Sequence, residues 1–310
     1  MSAQSKTGYG GRVHATGDLL LNCHAAIPGI ENAYHYSPSL AAGVVFSVLF
    51  GLSFLLHSVR AVQYKRWGSY CLIIGAVVEC IGWAGRTWNA QCPYNKAAFL
   101  MQISTLVIAP VFFAAAIYLA LARLIVRRGP QYSLLKPRAY LWTFCTADFV
   151  SLLVQAAGGG MASSASNKNK SPKPGTNVIV TGIVIQLVSM TVFSLCFFVF
   201  LWRSRQLHTP RNEQLTILST LIVLVVVYVR SFYRTIELFQ GWTGFLITHE
   251  VYFIILDGAM MAIASIAFNV LDPAVLLQDD DREAFDKRGP ESSGGSSLEI
   301  EEQRAGISEK

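Results

Sequence analysis

Arg230, Arg234 and Glu237 stand four and three residues apart within a run that is otherwise apolar from Leu215 onward. Glu79 and Arg86, Asp148 and Gln155, and Glu250 and Asp257 are each separated by seven residues. Seven residues make two turns of an α-helix, so each set lies along one helix face. A mid-bilayer Arg or Asp costs roughly 2.5–3.5 kcal/mol on translocon scales, so each of these groups needs a partner or water. Four polar stripes must therefore face the inside of a helix bundle. Two readings stay open. The residues are buried ion pairs that pin helix register, or they line a water-accessible, outward-open cavity that receives a zwitterionic or charged headgroup. With Gln186 and Tyr252 they form the candidate substrate site: Glu79, Arg86, Asp148, Gln155, Gln186, Arg230, Arg234, Glu237, Glu250, Tyr252 and Asp257.

The elements that carry these residues are visible in the composition. Of 310 residues, 53% are hydrophobic and only 14% are charged, against about 25% charged in a soluble domain. An ordinary water-soluble enzyme is excluded. The apolar residues fall into seven runs, read as 38–58, 68–88, 98–125, 139–160, 178–202, 215–237 and 249–277. At ~20 residues per crossing, these predict an all-α polytopic membrane protein with seven transmembrane helices and no room for a separate catalytic domain. The chain then divides into an extracellular tail (1–37), a seven-helix domain (38–277) and an acidic tail (278–310) whose composition predicts disorder.

Orientation follows from the loops. The first, third and fifth hold ten Lys and Arg, whereas the second, fourth and sixth hold four. Positive loops stay on the cytoplasmic side, so the N-terminus is expected outside and the C-terminus in the cytosol. Residues 279–310 carry ten acids and five bases, which leaves the rest of the chain with 20 bases and nine acids. That basic body reflects the loop bias and implies no nucleic-acid partner. With spans two, four and six running outward, Arg86, Gln155, Arg230, Arg234 and Glu237 fall in the outer half. Gln186, Glu250 and Asp257 join them from spans five and seven.

Smaller signals complete the reading. Cys23 and Cys92 both fall on the expected outside and can oxidise to a disulfide; two unpaired thiols are the alternative. Asn169-Lys170-Ser171 is a glycosylation sequon in the fourth loop, 161–177, whose Ser, Asn, Lys and Pro predict flexibility. Gly158-Gly159-Gly160 is either a helix stop or a point of close helix contact. Tyr34, Tyr36, Trp67, Trp83, Trp88 and Trp242 read as interfacial belt residues. No P-loop, nucleophile-elbow, kinase or metal-ligand pattern occurs in the sequence, so no catalytic residue, metal or cofactor is assigned.

The motifs, taken in order, resemble the fungal RTA-like family of seven-span lipid-translocating exporters, named for resistance to aminocholesterol. The carrying residues are Tyr34-His-Tyr-Ser-Pro38, Glu79-Cys-Ile-Gly82-Trp83-Ala-Gly85-Arg86 and Ala109-Pro110 through Tyr118. They continue with Asp148, with Gln155-Ala-Ala-Gly158, and with Arg230-Ser-Phe-Tyr-Arg234-Thr-Ile-Glu237, followed by Gly241, Glu250, Tyr252 and Asp257. Trp83 stands where the family usually has Tyr, and Asp272-Pro273 where His-Pro is expected. The resemblance covers roughly residues 34–277. It implies export, flipping or resistance involving sphingoid bases, amphiphilic sterols or drugs; one branch is associated with porphyrin uptake.

The expected function is thus an integral membrane translocator of lipids or amphiphiles, sphingoid-base-like or sterol-amine-like, that confers resistance to toxic amphiphiles. A seven-helix lipid sensor or receptor with a cytoplasmic partner is the alternative. Its short basic loops, such as Arg203–Gln214, suit lipid headgroups at least as well as a protein. The expected partners are membrane lipids or amphiphilic small molecules; the sequence names no protein partner. The expected location is the plasma membrane, with the vacuolar or another endomembrane as the alternative.

Overall fold

The computed structural model describes residues 5–7, 13–15 and 21–277, the last stretch without positions 26, 28, 29, 31, 33, 35, 65, 66, 169, 242, 243 and 274. The acidic tail 278–310, the sequon residue Asn169 and the belt candidate Trp242 lie outside the described residues. Among the described residues, six long unbroken helices, α1 (Leu40–Tyr64), α2 (Trp67–Gln91), α3 (Lys96–Arg128), α4 (Pro137–Asn167), α5 (Lys173–Arg203) and α6 (Arg211–Phe239), and a single helical turn at Phe245–Thr248 precede a composite last span, numbered α7. This span covers residues 250–270. It is α-helical over Glu250–Phe253, a π-helix over Ile254–Ala259, and α-helical again over Met260–Val270. At 1.5 Å rise per residue, even the 25-residue α1 exceeds the ~30 Å hydrocarbon core. All seven helices are long and apolar enough to cross a membrane. The protein is an all-α, multi-pass membrane protein. Outside the bundle, Ser5–Thr7 pairs antiparallel with Val13–Ala15 in a small strand pair.

The helices run longer than their apolar runs, because polar residues at the ends still hydrogen-bond within the helix. Asn95 caps α3 by accepting from the Ala98 N–H at 3.1 Å, which satisfies one of the free donors of a first turn. Gly129 ends α3 at φ 108°, a backbone region that side chains resist. Hydroxyls inside the spans are satisfied locally: Ser47, Thr105, Thr191 and Ser194 donate to the carbonyl four residues earlier.

The fourth loop is shorter than its composition predicts. α4 continues through the triple glycine to Asn167, and α5 begins at Lys173. The glycines are not a stop. Gly158 faces α5 so closely that a Cβ there would lie 2.6 Å from the Ile179 nitrogen, and a Cβ on Gly175 would strike the Ala162 backbone. Gly159 and Gly160 meet nothing within 4 Å. Backbone contact at Gly158 and Gly175 lets α4 and α5 pack tightly where lipid offers no hydrophobic drive.

α1 packs on α2, α2 on α3, and α4 on α5, while α6 and α7 pair with each other; α3 also meets α4 and α6. α3 is the most buried span. Around it sits an aromatic core of Phe113, Tyr118, Phe193 and Phe197, all fully buried. Val45, Val48, Leu52, Leu55 and Val59 of α1 remain exposed, as a lipid-facing stripe should.

Candidate functional site

Four helices converge on the ions. On α6, Arg230 and Arg234 are one turn apart, and both reach Asp257 in the π-helical segment of α7. The Arg230 Nη2 lies 2.9 Å from Asp257 Oδ1, and the Arg234 Nε lies 4.0 Å from the same oxygen. Arg234 Nη1 donates to Glu237 Oε2 at 2.7 Å, and the Tyr233 hydroxyl donates to Glu237 Oε1 at 2.8 Å. Arg230 also donates to the Leu106 carbonyl of α3 at 2.5 Å. These side chains are buried, with Asp257 1% and Glu237 2% exposed. The charges therefore compensate one another at close range instead of facing solvent.

A second pair lies at the end of the bundle that carries the N-terminal segment. Arg86 Nη2 of α2 donates to Glu250 Oε1 of α7 at 2.7 Å and to the Tyr36 hydroxyl at 2.9 Å. Glu250 Oε1 also accepts from the Ser39 N–H at 2.7 Å. The guanidinium lies within 6 Å of the rings of Tyr34, Tyr36, Trp83 and Phe253, within cation–π range. Tyr34 is fixed in turn: Asn89 donates to its hydroxyl, which donates to Gln102. Burial is the main influence on both phenols and pushes their pKa values above the ordinary tyrosine range, against the nearby Arg86 charge. Tyr34 and Trp83, expected in an interfacial belt, are thus buried members of the site (6% and 0% exposed). Trp88, by contrast, is 43% exposed.

The N-terminal segment is tied down over this pair. Cys23 and Cys92 form a disulfide with Cα atoms 4.7 Å apart. The Tyr94 hydroxyl accepts from the Ile27 N–H and donates to the Ile27 and Ile30 carbonyls. Asn95 donates to the Leu21 carbonyl.

The remaining candidates do not join these ions. Asp148 Oδ2 accepts from the Tyr118 hydroxyl at 2.9 Å, and Gln155 donates to Ser151 and to Gln186 of α5. They form a separate polar set among α3, α4 and α5. Tyr252 is 38% exposed and lies against Phe245 and His249, so it lies outside the ion network. Nor is the site outward-open in this conformation. Glu79, Arg86, Arg230, Arg234, Glu237 and Asp257 are each less than 9% exposed, and the Glu250 side chain is 19% exposed.

Sequence reasoning missed the residues that hold the ions in place. Ser39, Tyr233, Gln102 and Asn89 have no charge to stand out in an apolar run. Ser39 precedes the first helix, where helical periodicity says nothing. At the opposite end, Arg128 of α3 bonds Ser204 and Thr209 and pairs with Glu213 of α6 at 3.3 Å. Among the described residues no group of His, Cys, Asp and Glu is disposed to hold a metal ion.

The family model for RTA1-like proteins matches residues 72–280. A sphingoid long-chain base transporter of Saccharomyces cerevisiae, RSB1, is 33% identical over 274 residues, covering 76% of this chain and 72% of that protein. Protoporphyrin uptake protein 1 of the same yeast is 27% identical over 278 residues, covering 76% of this chain and 90% of its own. Protein RTM1, also from Saccharomyces cerevisiae, is 26% identical over 282 residues with the same two coverages. No solved structure matches the chain.

Proposed function

The chain belongs to the RTA1-like family, and from that premise we propose that it translocates single-headed amphiphiles, of the sphingoid-base or sterol-amine kind, across a lipid bilayer. One observation carries this reading: three buried guanidiniums and their carboxylate partners meet at adjoining levels of a bundle whose outer surface is apolar. Intramembrane ion networks of this kind mark substrate pathways more often than they mark stability, since apolar packing would hold the helices at lower cost. A headgroup with both hydrogen-bond donors and charge can exchange with such pairs while its chain stays in lipid. The likeness to a sphingoid long-chain base transporter supports the substrate class.

The loop charge bias supports an exoplasmic N-terminal segment, which sets the Arg86–Glu250 pair toward the outside and the end of the chain in the cytosol. In that orientation Tyr36 and Ser39 form a cover on the outer mouth, and the structure corresponds to a closed state. Export to the outer leaflet of the plasma membrane, with resistance to toxic amphiphiles as its consequence, is the physiological role that fits. No catalytic step is part of it. The polar set around Asp148 stands apart from the headgroup path and fixes α4 against α3 and α5.

The test is transport by purified protein in vesicles, with a fluorescent sphingoid base added on one side. Wild type moves it. Arg230→Gln, Arg234→Gln and Glu237→Gln, each checked for monodisperse folding, lose most of that rate. Folded neutral variants that all transport at the wild-type rate make the cluster structural. Saturable binding with no movement points instead to a lipid sensor.

A further inference from the structure

The ion network holds one carboxyl too many. Arg86 is matched by Glu250, Arg230 by Asp257 and Arg234 by Glu237. Glu79, two turns before Arg86 on the same face of α2, is the fourth acid. Its side chain is fully buried, and neither carboxyl oxygen has a hydrogen-bond partner. It forms no ion pair within 4.0 Å among the described residues. One turn on, Trp83 is also fully buried, and its indole N–H is directed at the Glu79 carboxyl without meeting hydrogen-bond geometry. The Trp83 ring lies 4.2 Å from Phe46 and 5.7 Å from Phe253, centre to centre. A lone carboxylate in such a place is not tolerated; it takes up a proton or a counter-cation.

We propose that Glu79 is a cation-exchange site: it holds a proton when the protein is empty and gives it up when an organic ammonium binds beside Trp83. The O–H bond of the carboxyl breaks, its proton leaves to water, and the carboxylate accepts N–H bonds from the ammonium. One cation replaces another, so the site remains neutral in both states. The aromatic rings of Trp83, Phe46 and Phe253 suit an ammonium joined to an alkyl chain, because their faces attract the charge and their bodies accept the methylenes. The inference rests on the translocator reading and adds its energy coupling: a proton gradient acid on one side drives amine release on that side.

The surrounding charges define which groups share the titration. From α6 they are Arg230 and Arg234, the latter paired with Glu237, and from α7 Asp257; Glu250 of α7 is held on Arg86. α2 itself adds Arg86. α1 carries only His57 and Arg60, and Arg60 donates to the Phe268 carbonyl at the far end of α7. α3 has no charged residue between Lys96 and Arg123. The three Arg remain cationic throughout, so within this cluster the exchange falls to the carboxyl without a guanidinium within 4.0 Å.

The experiment measures binding of octadecylamine to the full-length protein in lipid nanodiscs, with its neutral N-acetyl derivative as control. The amine stays protonated near neutral pH, as a lysine does. Release of one proton per amine makes its affinity rise roughly tenfold for each pH unit. Titration calorimetry in two buffers of different ionisation enthalpy counts the same proton. Glu79→Gln, the neutral isostere, is expected to fold and melt like wild type, bind the amine weakly and lose the pH slope. Glu79→Asp keeps the slope. Amine affinity in wild type that is flat with pH, or a Glu79→Gln protein that retains the slope, overturns the exchange while leaving translocation standing. A wild-type protein that binds neither the amine nor a sphingoid base overturns both.

Discussion

Replacing Asp257 with Asn removes one charge from the point where two guanidiniums meet. Asp257 is 1% exposed, 2.9 Å from Arg230 and 4.0 Å from Arg234. Arg234 keeps Glu237 at 2.7 Å. Arg230 keeps only a neutral acceptor, the Leu106 carbonyl, and becomes a buried cation with no carboxylate within 4.0 Å among the described residues. Leaving one member of a buried pair unmatched costs ~3–5 kcal/mol. For a chain of this size each kcal/mol moves the melting point by roughly 2–4 °C, so Asp257→Asn is expected to melt on the order of 10 °C lower. Fluorescence-detected size exclusion after heating measures it in detergent. The double variant Arg230→Gln/Asp257→Asn removes the stranded cation and is expected to recover ~1–3 kcal/mol of the loss, the usual coupling of groups in contact. A single variant that melts with wild type, or a double variant whose losses simply add, refutes the pairing as the source of the stability.

Three further outcomes are expected. Cys23→Ser and Cys92→Ser should each abolish the same gel-mobility shift on reduction and lower stability by ~2–4 kcal/mol; free labelling of both thiols in native membranes contradicts the bond. A protease added outside intact cells should reach tags within residues 1–37 but none placed after Asp279, and finding both ends on one side removes the seven-span topology. Gly158→Ala should destabilise by ~1–3 kcal/mol because its Cβ meets the Ile179 backbone. The neighbouring Gly159→Ala, with nothing within 4 Å, should gain up to ~1 kcal/mol of helix propensity, and thermal melts of the two variants separate the cases.

The count of spans was legible because it rests on periodicity. Two-turn spacing placed Arg230, Arg234 and Glu237 on one face, and a buried face of that charge must find acids. Depth was legible too, which is why Arg86 and Glu250 come out at the same end. Partner identity was not. Gln155 shares the outer level with Arg230 by sequence, yet it belongs to α4, which packs on α5 and α3. Helix neighbours are a matter of shape, set by contacts such as Gly158 on Ile179. The same contacts overrode composition in residues 161–167, whose Ser and Asn look like loop but remain helical against α5. Nothing local announces the π-helical stretch around Asp257 either, since its residues are ordinary apolar ones apart from Gly258 and Asp257 itself.

The distance in sequence between Arg86 and Glu250, 164 residues, has a consequence for how the protein is made. A chain synthesised from its N-terminus at ~5–20 residues per second delivers α2 to the membrane many seconds before α7 exists. Throughout that interval Arg86 sits in a nascent span with its carboxylate still untranslated, and only the Tyr36 hydroxyl is at hand. Arg230 waits far less, since Asp257 lies in the very next span. The last helix therefore neutralises two of the three arginines of the cluster, Arg86 by way of Glu250 and Arg230 by way of Asp257, while Arg234 already has Glu237 on its own helix. A ribosome that stops before α7 leaves an insertion product with bare charge at membrane depth, which is the kind of signal by which membrane quality control distinguishes a finished protein from a fragment.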